Sequence, residues 1–114
     1  MSVRLEEQPF EIDGRVYILR CNMAVLDRLE IAHGSFEAVM QLPPRDGMAE
    51  FLAAMLNDYA EDMGWEQDWT AKRVKKRVSF GELLEADILG LVNRAVVPAS
   101  LAAEQPEPGE NPGN

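Results

Sequence analysis

Met48, Phe51, Leu52, Met55, Leu56, Tyr59 and Met63 recur at three- and four-residue steps. Only an α-helix of about four turns brings such a set onto one face. Glu50, Asn57, Asp58, Glu61 and Asp62 occupy the other side, and Gly64 supplies a stop over which Trp65 can fold back. A stripe this long needs cover, so the remaining segments must be elements that lie against it.

The first of them is a β-hairpin. Phe10-Glu11-Ile12 and Arg15-Val16-Tyr17-Ile18-Leu19 flank Asp13-Gly14, the pair that suits a two-residue type I′ turn. Pairing Ile12 with Arg15 sets Phe10 opposite Tyr17 and Gln8 opposite Leu19. Phe10, Ile12, Tyr17 and Leu19 then share one face, which must pack on the helices because a lone hairpin is marginal in water.

Asn22 is a suitable N-cap for a helix over 23–33 that ends at Gly34, with Met23, Val25, Leu26 and Leu29 as its apolar stripe. Ser35 caps a short helix through Phe36, Val39 and Met40, stopped by Pro43-Pro44. Beyond the long helix, Asp68 or Thr70 starts a helix through Lys72, Arg73, Lys75, Lys76 and Arg77, with Val74 and Val78 facing inward. Ser79-Phe80-Gly81-Glu82 is a capping box. It opens a last helix carrying Phe80, Leu83, Leu84, Ile88, Leu91, Val92 and Ala95, which Pro98 ends. The expected fold is α+β, mostly α: one domain over 8–98 in which an N-terminal hairpin packs on about five short helices. Residues 99–114 hold prolines, glycines and acids with little to bury, and are expected to be a disordered tail.

Charge and composition narrow the function. The net charge of −9 disfavours nucleic acid as the main partner, since phosphate binding needs clustered positive charge. No apolar run reaches the roughly 20 residues of a membrane span, and two acids near the N-terminus stand where a signal peptide is apolar. A cytoplasmic protein is expected. Cys21 is the only cysteine, which excludes an internal disulfide.

Candidate chemistry is sparse. His33 is the sole histidine and sits in the last turn of a helix, where the macrodipole favours it. Cys21 lies between apolar neighbours at a strand-to-helix junction, a place for a small buried side chain. Asp58, Glu61 and Asp62 share a helix face but lack the glycine and alternating oxygens of an EF-hand loop. Neither a catalytic, cofactor nor metal site is expected, and an enzyme is not. Methionines at 23, 40, 48, 55 and 63 fall at or near stripe positions, suited to core packing or to gripping varied apolar helices. The basic block is the most functional-looking feature: a solvated face, a dock for an acidic protein, or a phosphate contact.

The order of these pieces resembles the tail assembly chaperones of long-tailed, siphovirus-like bacteriophages and prophages. The resemblance rests on the hairpin Ile12-Asp13-Gly14-Arg15-Val16-Tyr17-Ile18-Leu19-Arg20, then Asn22-Met23-Ala24-Val25-Leu26-Asp27-Arg28-Leu29-Glu30 and the Gly34-Ser35-Phe36-Glu37 break. An apolar helix over 48–63 and closing helices over 71–98 complete it, so that it covers about residues 8–98. It implies a non-enzymatic chaperone that coats the tape measure protein, helps recruit tail tube subunits and is absent from the finished virion. In many relatives a ribosomal frameshift near the end of the gene adds a second domain. Self-association stays open. The residues expected to bind partners are Phe51, Met55, Phe80 and Leu84, with Lys72, Arg73, Lys75, Lys76 and Arg77 of the basic block. The alternative is a small helical nucleic-acid-binding regulator using the helix over 71–78.

Overall fold

The computed structural model describes residues 7–96, with side chains through Arg94. Strands β1 (Gln8–Ile12) and β2 (Arg15–Leu19) precede α1 (Met23–His33), α2 (Phe36–Met40), α3 (Pro44–Met63), α4 (Ala71–Arg77), α5 (Phe80–Glu85) and α6 (Ile88–Val96). The architecture is α+β and mostly α, as the patterning predicts. The expected end of the last helix at Pro98 and the tail from 99 lie outside the described residues.

The hairpin has the register read from the sequence, with Gln8 opposite Leu19, Phe10 opposite Tyr17 and Ile12 opposite Arg15. Asp13 and Gly14 both have positive φ, at 55° and 74°, which a type I′ turn requires. Phe10, Ile12, Tyr17 and Leu19 are all buried, so one face of the ribbon is core.

Helix α3 is the hub: β2, α1, α2, α4 and α6 pack on it. It begins at Pro44, four residues before the apolar stripe, because proline is well suited to the first helical position, where its missing N–H costs nothing. It ends as expected at Gly64, with φ 73°. The Trp65 N–H donates to the Ala60 carbonyl at 2.8 Å and that of Gly64 to Glu61 at 3.2 Å. These are the paired bonds of a Schellman stop.

Four side-chain caps fix where the shorter helices start. Asn22, Ser35, Thr70 and Ser79 each accept from a backbone N–H three residues on, and Glu82 returns the Ser79 bond to complete the capping box. The single closing helix expected from the sequence is instead two, α5 and α6. The break falls at Ala86-Asp87, where Asp87 takes a φ of 55°. Aspartate tolerates the left-handed region better than most residues, and nothing in its sequence neighbourhood announces that it does so here.

Several stripe assignments change. Met23, Met40 and Met63 are exposed, whereas Met48 and Met55 are core. Asp58, expected on the solvated face, is buried. It accepts a bond from Asn22 Nδ2 at 2.8 Å and lies 3.6 Å from Arg20, so the α1 cap and the end of the hairpin are tied to α3 at one carboxylate.

Candidate protein-docking surface

The residues expected to bind partners divide by burial. Phe51 and Met55 point into the core, 2% and 0% exposed, and cannot meet a partner without unfolding α3. Their stripe is covered by the hairpin and neighbouring helices. Phe80 and Leu84 lie one turn apart on α5 and are 49% and 57% exposed. Leu83, between them, turns inward and anchors the helix.

Phe80 and Leu83 border an open groove of about 440 Å³ with Pro43, Arg45 and Asp46 from the start of α3, and Lys75 and Val78 from α4. The floor is apolar and the α3–α4 rim is charged. Lys75 bonds to Asp46 across that rim. Arg45 is exposed and has no ion pair among the described residues.

The basic block is not a free cationic face. Arg73 Nη1 donates to Asp68 at 2.7 Å, Arg77 donates to Asp13 at 3.2 Å, and Lys75 holds Asp46. Arg73 also lies over the Trp69 ring, 4.1 Å from its centre. Opposite flanks of α4 are thus fastened to the hairpin turn and to the start of α3. Lys72 and Lys76, one turn apart, remain exposed without ion pairs among the described residues.

Asp68-Trp69-Thr70 proves to be the hinge pin of this arrangement. Trp69 is buried, and its indole N–H donates to the Tyr17 hydroxyl at 3.2 Å. Tyr17, Tyr59, Trp65 and Trp69 make edge-on or tilted ring contacts 5.2–6.4 Å apart. Arg15 caps the Trp65 ring at 4.1 Å. A polar cleft beside this cluster is lined by acids as well as arginines, among them Asp13, Glu66 and Asp68.

A second groove, of about 580 Å³, runs between α1 and α4 over the small residues Ala53 and Ala54 of α3. Ile31, at its α1 edge, is 86% exposed. Ile31 is not among the residues expected to bind, although its place two residues after inward-facing Leu29 puts it on the far side of the helix. That offset was the signal available.

The groups weighed for catalysis are occupied structurally. Burial pushes the Cys21 thiol up to about 11. His33 Nε2 lies 3.1 Å from Glu50. Asp62 and Glu61 pair with Arg20 and Arg28, each at 2.6 Å. Among the described residues, no group of three or more metal-ligating side chains is placed to hold an ion. No described helix is long and apolar enough to cross a membrane. Compared with family models, curated proteins and solved structures, the chain matches none of them.

Proposed function

We propose that the chain is a non-enzymatic tail assembly chaperone, which binds helical segments of a tape measure protein in the bacterial cytoplasm and helps bring tail tube subunits to it. The observation that carries this reading is the exposed Phe80–Leu84 pair beside an apolar groove. Two large side chains left in water one helical turn apart are the anchor spacing by which a partner helix is gripped. The motif order from the Asp13-Gly14 hairpin to the closing helices gives the reading its phage context. Exposed Met23, Met40 and Met63 add adaptable apolar surface.

The regulator alternative draws less support. Three of the five cations it needs, Arg73, Lys75 and Arg77, are engaged with the protein's own acids. A phosphate backbone would have to displace those pairs against a net charge of −9.

Co-expression with fragments of a tape measure protein tests the proposal. The fragments should become soluble and co-purify, and the complex should survive moderate salt, since apolar burial dominates it. Insoluble fragments, together with a shift of duplex DNA by the protein at physiological salt, would replace the chaperone with the regulator.

A further inference from the structure

The outward side of α1 holds the two most exposed large apolar side chains among the described residues, Ile31 at 86% and Met23 at 79%. Val25 and Leu29 bury the opposite side of the helix, which leaves Met23, Asp27, Glu30 and Ile31 together on the outer one. A single exposed isoleucine is ordinary on a protein surface. Ile31 differs in its setting, because it stands at the edge of the groove of about 580 Å³ between α1 and α4. The floor of that groove is small and apolar, Ala53 and Ala54 of α3, with Ala32 and Ala71 beside it. Most of its charges are satisfied within the chain: Arg28 is bound to Glu61 and Gln67, and Glu50 lies against His33. Lys72, at the α4 edge, is the one lining cation without an ion pair among the described residues. On α1 the unpaired charge is negative. Asp27 and Glu30 are exposed, lie about one turn apart and have no ion pair among the described residues. They do not line the groove. Helical geometry puts them on the far side of Ile31 from Arg28 and Ala32, which do.

We propose that this groove and the ridge at Ile31 dock an amphipathic helix that carries lysines or arginines along the flank facing α1. Its apolar side chains would seat over Ala53 and Ala54 and against Ile31, where small residues let a helix come close. Its cations would reach past Ile31 to Asp27 and Glu30. Charge selects this occupant both locally and at a distance. The unpaired charges beside Ile31 on α1 are carboxylates, and the chain as a whole carries −9, so a cationic helix is drawn in and then held. An acidic helix would be repelled on both counts, and a second copy laid α1 against α1 would oppose carboxylates to carboxylates. Lys72 sets the orientation, since it leaves the flank toward α4 for uncharged or acidic residues. The groove shares no lining residue with the one at Phe80, so this is a second docking face, independent of what binds there.

Two fluorescein-labelled synthetic helices test the proposal by anisotropy titration of the full chain. Both have leucines at i, i+3, i+4 and i+7; one carries lysines along a single flank and the other glutamates. The lysine helix should bind at least tenfold tighter, and Ile31→Ser and Ala32→Arg should each weaken it at least tenfold. Both side chains are exposed, so neither change touches the core. A net charge of −9 attracts any cation, so position must be separated from total charge. Asp27→Lys with Glu30→Lys should weaken the lysine helix at least tenfold. Glu11→Lys with Glu66→Lys makes the same charge change at exposed sites elsewhere and should leave binding nearly unchanged. Equal loss in the two double variants would mean diffuse attraction and overturns the assignment. So do equal binding of the two helices, binding unchanged in Ile31→Ser and Ala32→Arg, or a loss confined to Phe80→Ser. A wild-type dimer in sedimentation equilibrium that Ile31→Ser turns into a monomer overturns it too, because a second copy then covers the face. If tape measure fragments co-purify but the lysine helix does not bind, this face falls while the chaperone reading stands. If the lysine helix binds at Ile31 but no tape measure fragment is captured, the face stands and the chaperone reading falls.

Discussion

Asn57 of α3 holds the backbone of Trp69 at both of its polar groups, accepting from the Trp69 N–H at 3.0 Å and donating to its carbonyl at 2.9 Å. One amide thereby imitates a strand neighbour for a residue outside any sheet. The clamp sets the chain direction into α4 and presents the Trp69 indole to Tyr17. It explains how a short, highly charged helix has a fixed place on the domain.

Asn57→Ala should therefore destabilise the whole fold. It orphans a backbone donor and a backbone acceptor next to a buried indole, each worth about 1–3 kcal/mol. Urea denaturation should show a loss of about 2 kcal/mol or more. Asn57→Asp keeps the acceptor and loses the donor, so it should fall between wild type and alanine. An alanine variant with the wild-type midpoint would mean that α4 is held by its ion pairs instead.

The hairpin should separate packing from hydrogen bonding. Tyr17→Phe keeps the buried ring and removes only the acceptor for Trp69, at a cost of about 1 kcal/mol. Phe10→Ala empties core volume and should cost about 3–5 kcal/mol. Denaturation midpoints of the two variants, compared directly, check the order. Equal losses would show that the hydroxyl network matters as much as the ring packing.

These elements differ in how far the sequence announces them. The hairpin register was legible because Asp13-Gly14 admits few turns, and a one-residue slip would turn Phe10 and Tyr17 to water. The caps at Asn22, Ser35, Thr70 and Ser79 were legible because a polar side chain at a helix start has a local partner. The clamp on Trp69 was not, since an asparagine on a polar helix face looks the same whether it meets solvent or a distant backbone. The division of the binding candidates into buried Phe51 and Met55 and exposed Phe80 and Leu84 was not legible, for a related reason. Phe51, Met55, Phe80 and Leu84 all obey helical periodicity, and only tertiary packing decides that α3 is covered while one face of α5 is left open. Likewise, charge counting showed a basic block but not that Asp13, Asp46 and Asp68 would come to meet it.

Cys21 provides a pH test. Its thiol pKa rises from the ordinary 9.0 to about 11 in the fold because burial disfavours the thiolate. Below pH 9 the thiol is neutral in both the folded and the unfolded chain, so its contribution to stability is fully present there. As pH climbs toward 11, the unfolded chain loses its proton first and stability falls. Wild type should lose more stability between pH 8 and pH 10.5 than Cys21→Ala, when both are unfolded by urea. A disulfide reagent at pH 8 should react slowly with the native protein and rapidly once it is unfolded. Fast native labelling, or identical pH slopes for the two proteins, would place the thiol in contact with water.

The break between α5 and α6 rests on Asp87 and Gly90, and the two should be coupled. Asp87 is held at a φ of 55° and its carboxylate accepts from Arg94 at 3.2 Å. A methyl group added at Gly90 would run into that carboxylate. Gly90→Ala alone should therefore gain less stability than alanine ordinarily brings, because the exposed Asp87 carboxylate must swing away from Arg94. In an Asp87→Gly background the obstacle is gone and glycine takes the positive φ freely. There the same Gly90→Ala change should stabilise by about 0.5–1 kcal/mol, the ordinary advantage of alanine inside a helix. The difference between the two backgrounds is the measurement, read from thermal or urea unfolding of the four proteins in the cycle. Gly90→Ala with the same effect in both backgrounds would show that the carboxylate yields without cost.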